Sequence, residues 1–92
     1  MIVEISAKAD GELASAVAYL RAENPSAADR VYAAILTTLD TLEDFANRGR
    51  HGRIEGTREL VVRGAPYIVV YVIKGDMVLI SSIRHTSRRV QP

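Results

Sequence analysis

Seven consecutive residues, Tyr67 to Ile73, are apolar or aromatic without a break. A strand of that composition needs cover on both faces, which places it at the centre of a sheet. Gly64-Ala65-Pro66 precedes it as a turn signal. Before the turn, Leu60 and Val62 alternate with Glu59 and Arg63, the pattern of a half-buried strand, with Val61 breaking it. Gly56–Tyr71 therefore reads as two strands meeting at a tight turn. The remainder of the chain has to supply cover for that pair and a second neighbour for the central strand.

The first part of the chain offers one short strand and two helices. Ile2–Ala7 alternates, with Val3 and Ile5 opposite Glu4 and Ser6. Leu13, Val17 and Leu20 then recur at spacings of four and three, an amphipathic helix reaching about Glu23. Asp10 is a better placed cap for it than Ser6, with Glu12 in the first turn where the helix dipole favours acids. Asn24-Pro25 starts a second helix, Asn24 as cap and Pro25 at the first position, where its missing N–H costs nothing. That helix runs to about Ala46 with the stripe Ala28, Val31, Ile35, Leu39, Leu42 and Phe45. Two such helices with almost no linker form an antiparallel hairpin.

Asn47–Glu55 reads as a loop. Downstream of the central strand, Lys74-Gly75-Asp76 is a tight turn and Met77–His85 a strand, with Val78 and Ile80 on one face and Leu79 and Ile83 on the other. The tail is expected to fray after Arg89. The order is strand, helix, helix and a three-stranded meander (β-α-α-β-β-β). This is an α+β fold, with an N-terminal strand and a helical hairpin packed on a mostly antiparallel four-stranded sheet. Residues 1–92 make one domain, with the first strand placed beside the last.

Composition excludes several classes. There is one Phe, no Trp and no Cys, so the core is aliphatic, and disulfides and thiolate chemistry are absent. A small fold without staples is consistent with the cytoplasm. Met1–Lys8 carries Glu4 and Lys8 and does not read as a signal peptide. The longest apolar run, Ala65–Ile73, is far shorter than a membrane span. Net charge is only +1, but it is divided unevenly. Residues 1–47 hold three basic and eight acidic groups, a net of −5, whereas residues 48–92 hold nine basic and three acidic, a net of +6. The sheet half is thus suited to an anionic partner.

No metal-ligand spacing, phosphate-binding glycine loop or readable nucleophile motif is present, and no cofactor is implied. Arg48, Arg50, His51 and Arg53 crowd one loop. They can complement a helix C-terminus, contact an anion or nucleic acid, or dock an acidic protein. The sheet half could also gather Arg58, Arg63, Arg84, His85, Arg88 and Arg89. Arginines hold phosphates but do not act as general bases, which leaves His85 as the candidate acid/base of a metal-free ribonuclease. The alternative for His85 is a strand-end histidine bonded to neighbouring backbone. Tyr67 and Tyr71 read as packing residues with bonded hydroxyls in preference to stacking platforms for bases.

Several pieces of the chain, taken in order, resemble the RelE/ParE family of type II toxin–antitoxin toxins. They are Asn24-Pro25 with Ala27, Ala28 and Arg30; Gly49-Arg50 and Gly52-Arg53; Gly56–Val62; Pro66-Tyr67 to Tyr71; and Ile83-Arg84-His85 with Arg88. The resemblance implies a cytoplasmic growth inhibitor with a cognate antitoxin as partner; the basic residues Arg50, Arg53, Arg58, Arg63, Arg84, Arg88 and Arg89 are the candidates for antitoxin or target contacts. RelE-like members cut messenger RNA on the ribosome; ParE-like members block DNA gyrase. A nuclease reading would use His85 as acid/base with Arg63, Arg84 and Arg88 on the phosphates. This chain departs from that pattern. Ile68 stands where RelE-like nucleases tend to carry an arginine, Glu59 and apolar residues stand where they carry lysines, and no tyrosine follows His85. These departures favour the ParE-like branch and DNA gyrase. A ribosome-dependent endonuclease and a degenerate, non-toxic interaction partner remain the alternatives.

Overall fold

A computed structural model describes residues 1–87 of the chain. The elements are β1 (Ile2–Ile5), α1 (Ala7–Glu23), α2 (Pro25–Thr41), a 3-10 turn (Ala46–Arg48), β2 (Arg50–His51), β3 (Arg58–Val61), β4 (Tyr67–Lys74) and β5 (Met77–His85). The strands form one sheet in the order β1-β5-β4-β3-β2. The apolar run therefore lies in its middle strand. β1 pairs with β5 in parallel and every other pairing is antiparallel. The fold is α+β as expected, with five strands rather than four. The additional strand is β2, within the segment 47–55 expected to be a loop; two residues carry too little alternation to announce a strand.

Asn24 alone joins the helices. Its backbone N–H donates to the Leu20 carbonyl at 2.6 Å, closing α1, and its Oδ1 accepts from the Ala27 N–H at 3.1 Å, opening α2. The first cap is Ser6, not Asp10. Its Oγ accepts from the Ala9 N–H at 3.1 Å, while its own N–H donates to the Ile80 carbonyl at 2.9 Å. The sheet thus fixes Ser6 at the exit of β1, so the helix starts at once and Asp10 falls in its first turn. α2 ends at Thr41, earlier than its apolar pattern suggests, and Phe45 leaves the stripe at 63% exposure.

One face of the sheet is covered by the helices. Ala9 and Leu13 of α1, Ile35 of α2, Leu42 and Ala46 close over Val62, Tyr67, Val69, Tyr71, Val78, Ile80 and Ile83. Ile83 belongs to the same face as Val78 and Ile80, contrary to strict alternation. Tyr71 pairs with Ile80 but Val70 pairs with Ser82, leaving Ser81 as an extra residue on β5. A bulge of this kind shifts the period by one and re-aims everything beyond it. β5 also extends past the end of β1. At that uncovered edge Glu12 Oε1 accepts from the Ile83 N–H and the Ser82 hydroxyl, both at 2.9 Å, so α1 supplies the missing edge partner. Between β4 and β5 the turn needs a positive φ, and Gly75 provides it at 61°.

Candidate functional site

The open face of the sheet, away from the helices, carries the side chains that alternate with the core. On β3 the core side chain is Leu60, so Glu59 projects to the open face, beside Val70 of β4. Its side chain is only 4% exposed. Oε1 lies 3.3 Å from Arg50 Nη2, and Oε2 lies 3.8 Å from Arg84 Nη2. The Arg53 backbone N–H donates to Oε2 at 3.3 Å. Hydrogen-bond donors from β2 and the β2–β3 loop and an ion-pair partner from β5 thus converge on one carboxylate. Arg84 is 28% and Arg50 67% exposed, so the cluster opens to solvent on its arginine side.

β2 is held in place to serve this cluster. The buried Tyr71 hydroxyl donates to the Ala46 carbonyl at 2.7 Å and accepts from the Gly49 N–H at 2.9 Å. Arg58 Nη1 donates to the Gly49 carbonyl at 2.7 Å and to the Asn47 carbonyl at 3.3 Å. Tyr71 and Arg58 together pin Ala46–Arg50 against the sheet. Gly49 is required for so close an approach. A Cβ there would sit 2.7 Å from the Tyr71 hydroxyl and 2.9 Å from the Glu59 carbonyl oxygen. Gly49→Ala is accordingly expected to destabilise the fold by about 1–3 kcal/mol, as overpacking does. Urea denaturation would register this as a lower midpoint, and an unchanged midpoint would mean that β2 is not held as described.

A second feature lies on the helix side, at the end of β5. His85 pairs with Tyr67 across β4 and β5, and the rings meet edge to face with centroids 5.2 Å apart. The Ser87 N–H donates to His85 Nδ1 at 3.1 Å, so the neutral ring carries its proton on Nε2. This pair forms one wall of a groove of about 1000 Å³ between α1 and the ends of β4 and β5; Lys8, Glu12, Tyr19, Leu20, Val31 and Arg84 are among its other lining residues.

The residues singled out from sequence are thus distributed over several places. Arg50 and Arg84 come together around Glu59. Arg58 is engaged with backbone carbonyls, and Arg53 contributes its amide to the cluster. Arg63 lies exposed in the β3–β4 turn. Arg84 and His85 are consecutive on a strand and project to opposite faces, Arg84 to Glu59 and His85 to Tyr67. Arg88 and Arg89 lie outside the described residues. Tyr71 is a packing residue with a bonded hydroxyl, as expected from sequence; what sequence reasoning missed is that this hydroxyl anchors β2, and that Glu59 is the centre of the arginine cluster.

Comparison with known proteins agrees with this architecture. A family model described as ParE toxin of type II toxin–antitoxin system, parDE, matches residues 3–90. Y4kP of Sinorhizobium fredii, named as a candidate toxin, is 44% identical over 64 residues, which is 70% of this chain and 67% of that protein. A solved chain from the chromosomal ParDE TA system of P. aeruginosa has the same fold. It matches with a TM-score of 0.84 at 23% identity, over 92% of this chain and 95% of its own length. With the family model matching nearly from end to end, the chain belongs to the ParE toxin family of type II toxin–antitoxin systems.

Proposed function

We propose that this toxin arrests growth in the cytoplasm by blocking DNA gyrase and that a cognate antitoxin neutralises it. The observation that carries the choice of target is the burial of Glu59 between Arg50 and Arg84. Phosphate binding needs arginines whose charge is available, and here a carboxylate already faces both. Ile68, the neighbour of Arg84 across the β4–β5 pair, adds no charge to that face. His85, the one candidate acid/base, lies on the other side of the sheet. Arg84 and His85 both border the groove beside α1, but the Arg84 guanidinium is turned to Glu59 and the His85 ring to Tyr67, which weighs against the two acting on one phosphate.

The antitoxin is proposed to lie along the helical hairpin and the groove beside it. Tyr19 is 70% exposed, and Tyr32 and Leu36 also present apolar surface to solvent. An extended or helical antitoxin segment with apolar anchors would cover these positions, and its acidic residues would pair with Arg53 and Arg63. No helix among the described residues is long and apolar enough to cross a membrane.

Inducible expression tests the proposal in cells. Growth is expected to stop on induction and to recover when the small protein encoded beside the toxin is co-expressed. Primer extension on cellular messages is expected to show no new cuts. Cuts that vanish with His85→Ala would instead support the messenger-RNA endonuclease. Unaffected growth would leave only the degenerate interaction partner.

A further inference from the structure

We propose that Arg50, Arg84 and the Arg53 backbone amide form an anion receptor on the open face of the sheet, and that Glu59 occupies it as an internal mimic of an anionic ligand. The sheet half carries +6, yet its central arginines are committed to this one buried carboxylate. A carboxylate and a phosphate offer guanidinium groups the same feature, a pair of oxygens bearing negative charge. The three groups come from three separate segments, two as hydrogen-bond donors and Arg84 as an ion-pair partner. A nucleic-acid phosphate arriving at Arg84 or Arg50 meets guanidinium groups already paired and a negative charge behind them. Glu59 thus sets specificity. It keeps a basic sheet from engaging nucleic-acid phosphates, and leaves that face to a partner that does not depend on them.

Glu59→Gln preserves size and hydrogen-bonding capacity while removing the charge. Binding of the full-length chain to a short fluorescent single-stranded RNA at low salt is the readout. Glu59→Gln is expected to bind about tenfold more tightly than the wild type, the scale of a charge-assisted hydrogen bond. The dependence of log affinity on log salt should steepen by about 0.7 to 1.4, one or two additional phosphates. Adding Arg84→Gln should return affinity to the wild-type level. Affinity unchanged by Glu59→Gln, or a gain that survives the loss of Arg84, would overturn the proposal. If Glu59→Gln does not fold, the wild-type background decides. There Arg84→Gln should leave RNA affinity unchanged, because Glu59 already occupies that arginine; a several-fold loss would mean that Arg84 binds phosphate despite Glu59. This inference rests on the same Glu59 pairing as the choice of target, so failure here would remove that argument against phosphate binding, while the target itself is decided separately by the supercoiling reaction.

Discussion

Tyr71→Phe is expected to lower the stability of the fold by about 2–4 kcal/mol, the cost of leaving a buried donor and a buried acceptor unpaired. The ring would still fill its place in the core, since Tyr71 is fully buried and packed among Leu42, Val69 and Ile80. What is lost is one hydroxyl that both accepts from the Gly49 N–H and donates to the Ala46 carbonyl. Those backbone groups lie where the chain enters β2, so the damage should be local as well as global. Amide exchange at Arg50 and His51 should accelerate more than exchange in β4. For a domain of this size the thermal midpoint should fall by on the order of 10–25 °C. A midpoint within a few degrees of the wild type would mean that water or other groups satisfy Ala46 and Gly49 equally well.

Ile35→Ala should have a comparable global effect by a different route. Ile35 is fully buried on α2 and joins the cluster that the helices make with the sheet. Removing its branched chain forfeits transfer free energy and leaves a cavity, together about 2–5 kcal/mol, whereas Ile35→Val should cost about 0.5–1.5 kcal/mol. Against a total stability on the order of 5–15 kcal/mol, the alanine variant approaches the limit of what the fold tolerates. Urea denaturation would show a lower midpoint with a similar slope. Because no hydrogen bond is disturbed, exchange at β2 should change no more than elsewhere, which separates this variant from Tyr71→Phe.

The parts of the fold legible in sequence are those where one residue type has one physical use. Tyr67–Ile73 has no polar face, and it forms the central strand. Asn24-Pro25 can cap and start a helix, and it does both between α1 and α2. The hairpin turn at Gly75 and the full extent of β5 follow from similarly local signals. The features not legible depend on contacts distant in the chain. Ser6 becomes the cap because Ile80, far downstream, anchors its backbone. β2 exists because Tyr71 and Arg58 hold it, not because Arg50-His51 favours a strand. The bulge at Ser81 has no signature in the alternation that it shifts.

The site shows the same division. Sequence alone identifies a basic sheet half and a glutamate at odds with it. That the glutamate is buried among the arginines becomes visible only when β2 and β5 are brought to either side of the β3–β4 pair. Similarly, Arg84 and His85 look like one constellation in sequence, yet strand geometry sends them to opposite faces.

The target is tested most directly by a DNA supercoiling reaction with purified gyrase, relaxed plasmid and ATP, to which the purified toxin is added in increasing amounts. Supercoiling should fall with toxin concentration or cleaved DNA should accumulate, and prior addition of the cognate antitoxin should prevent either effect. Supercoiling that proceeds unchanged at a large molar excess of folded toxin would contradict gyrase as the target.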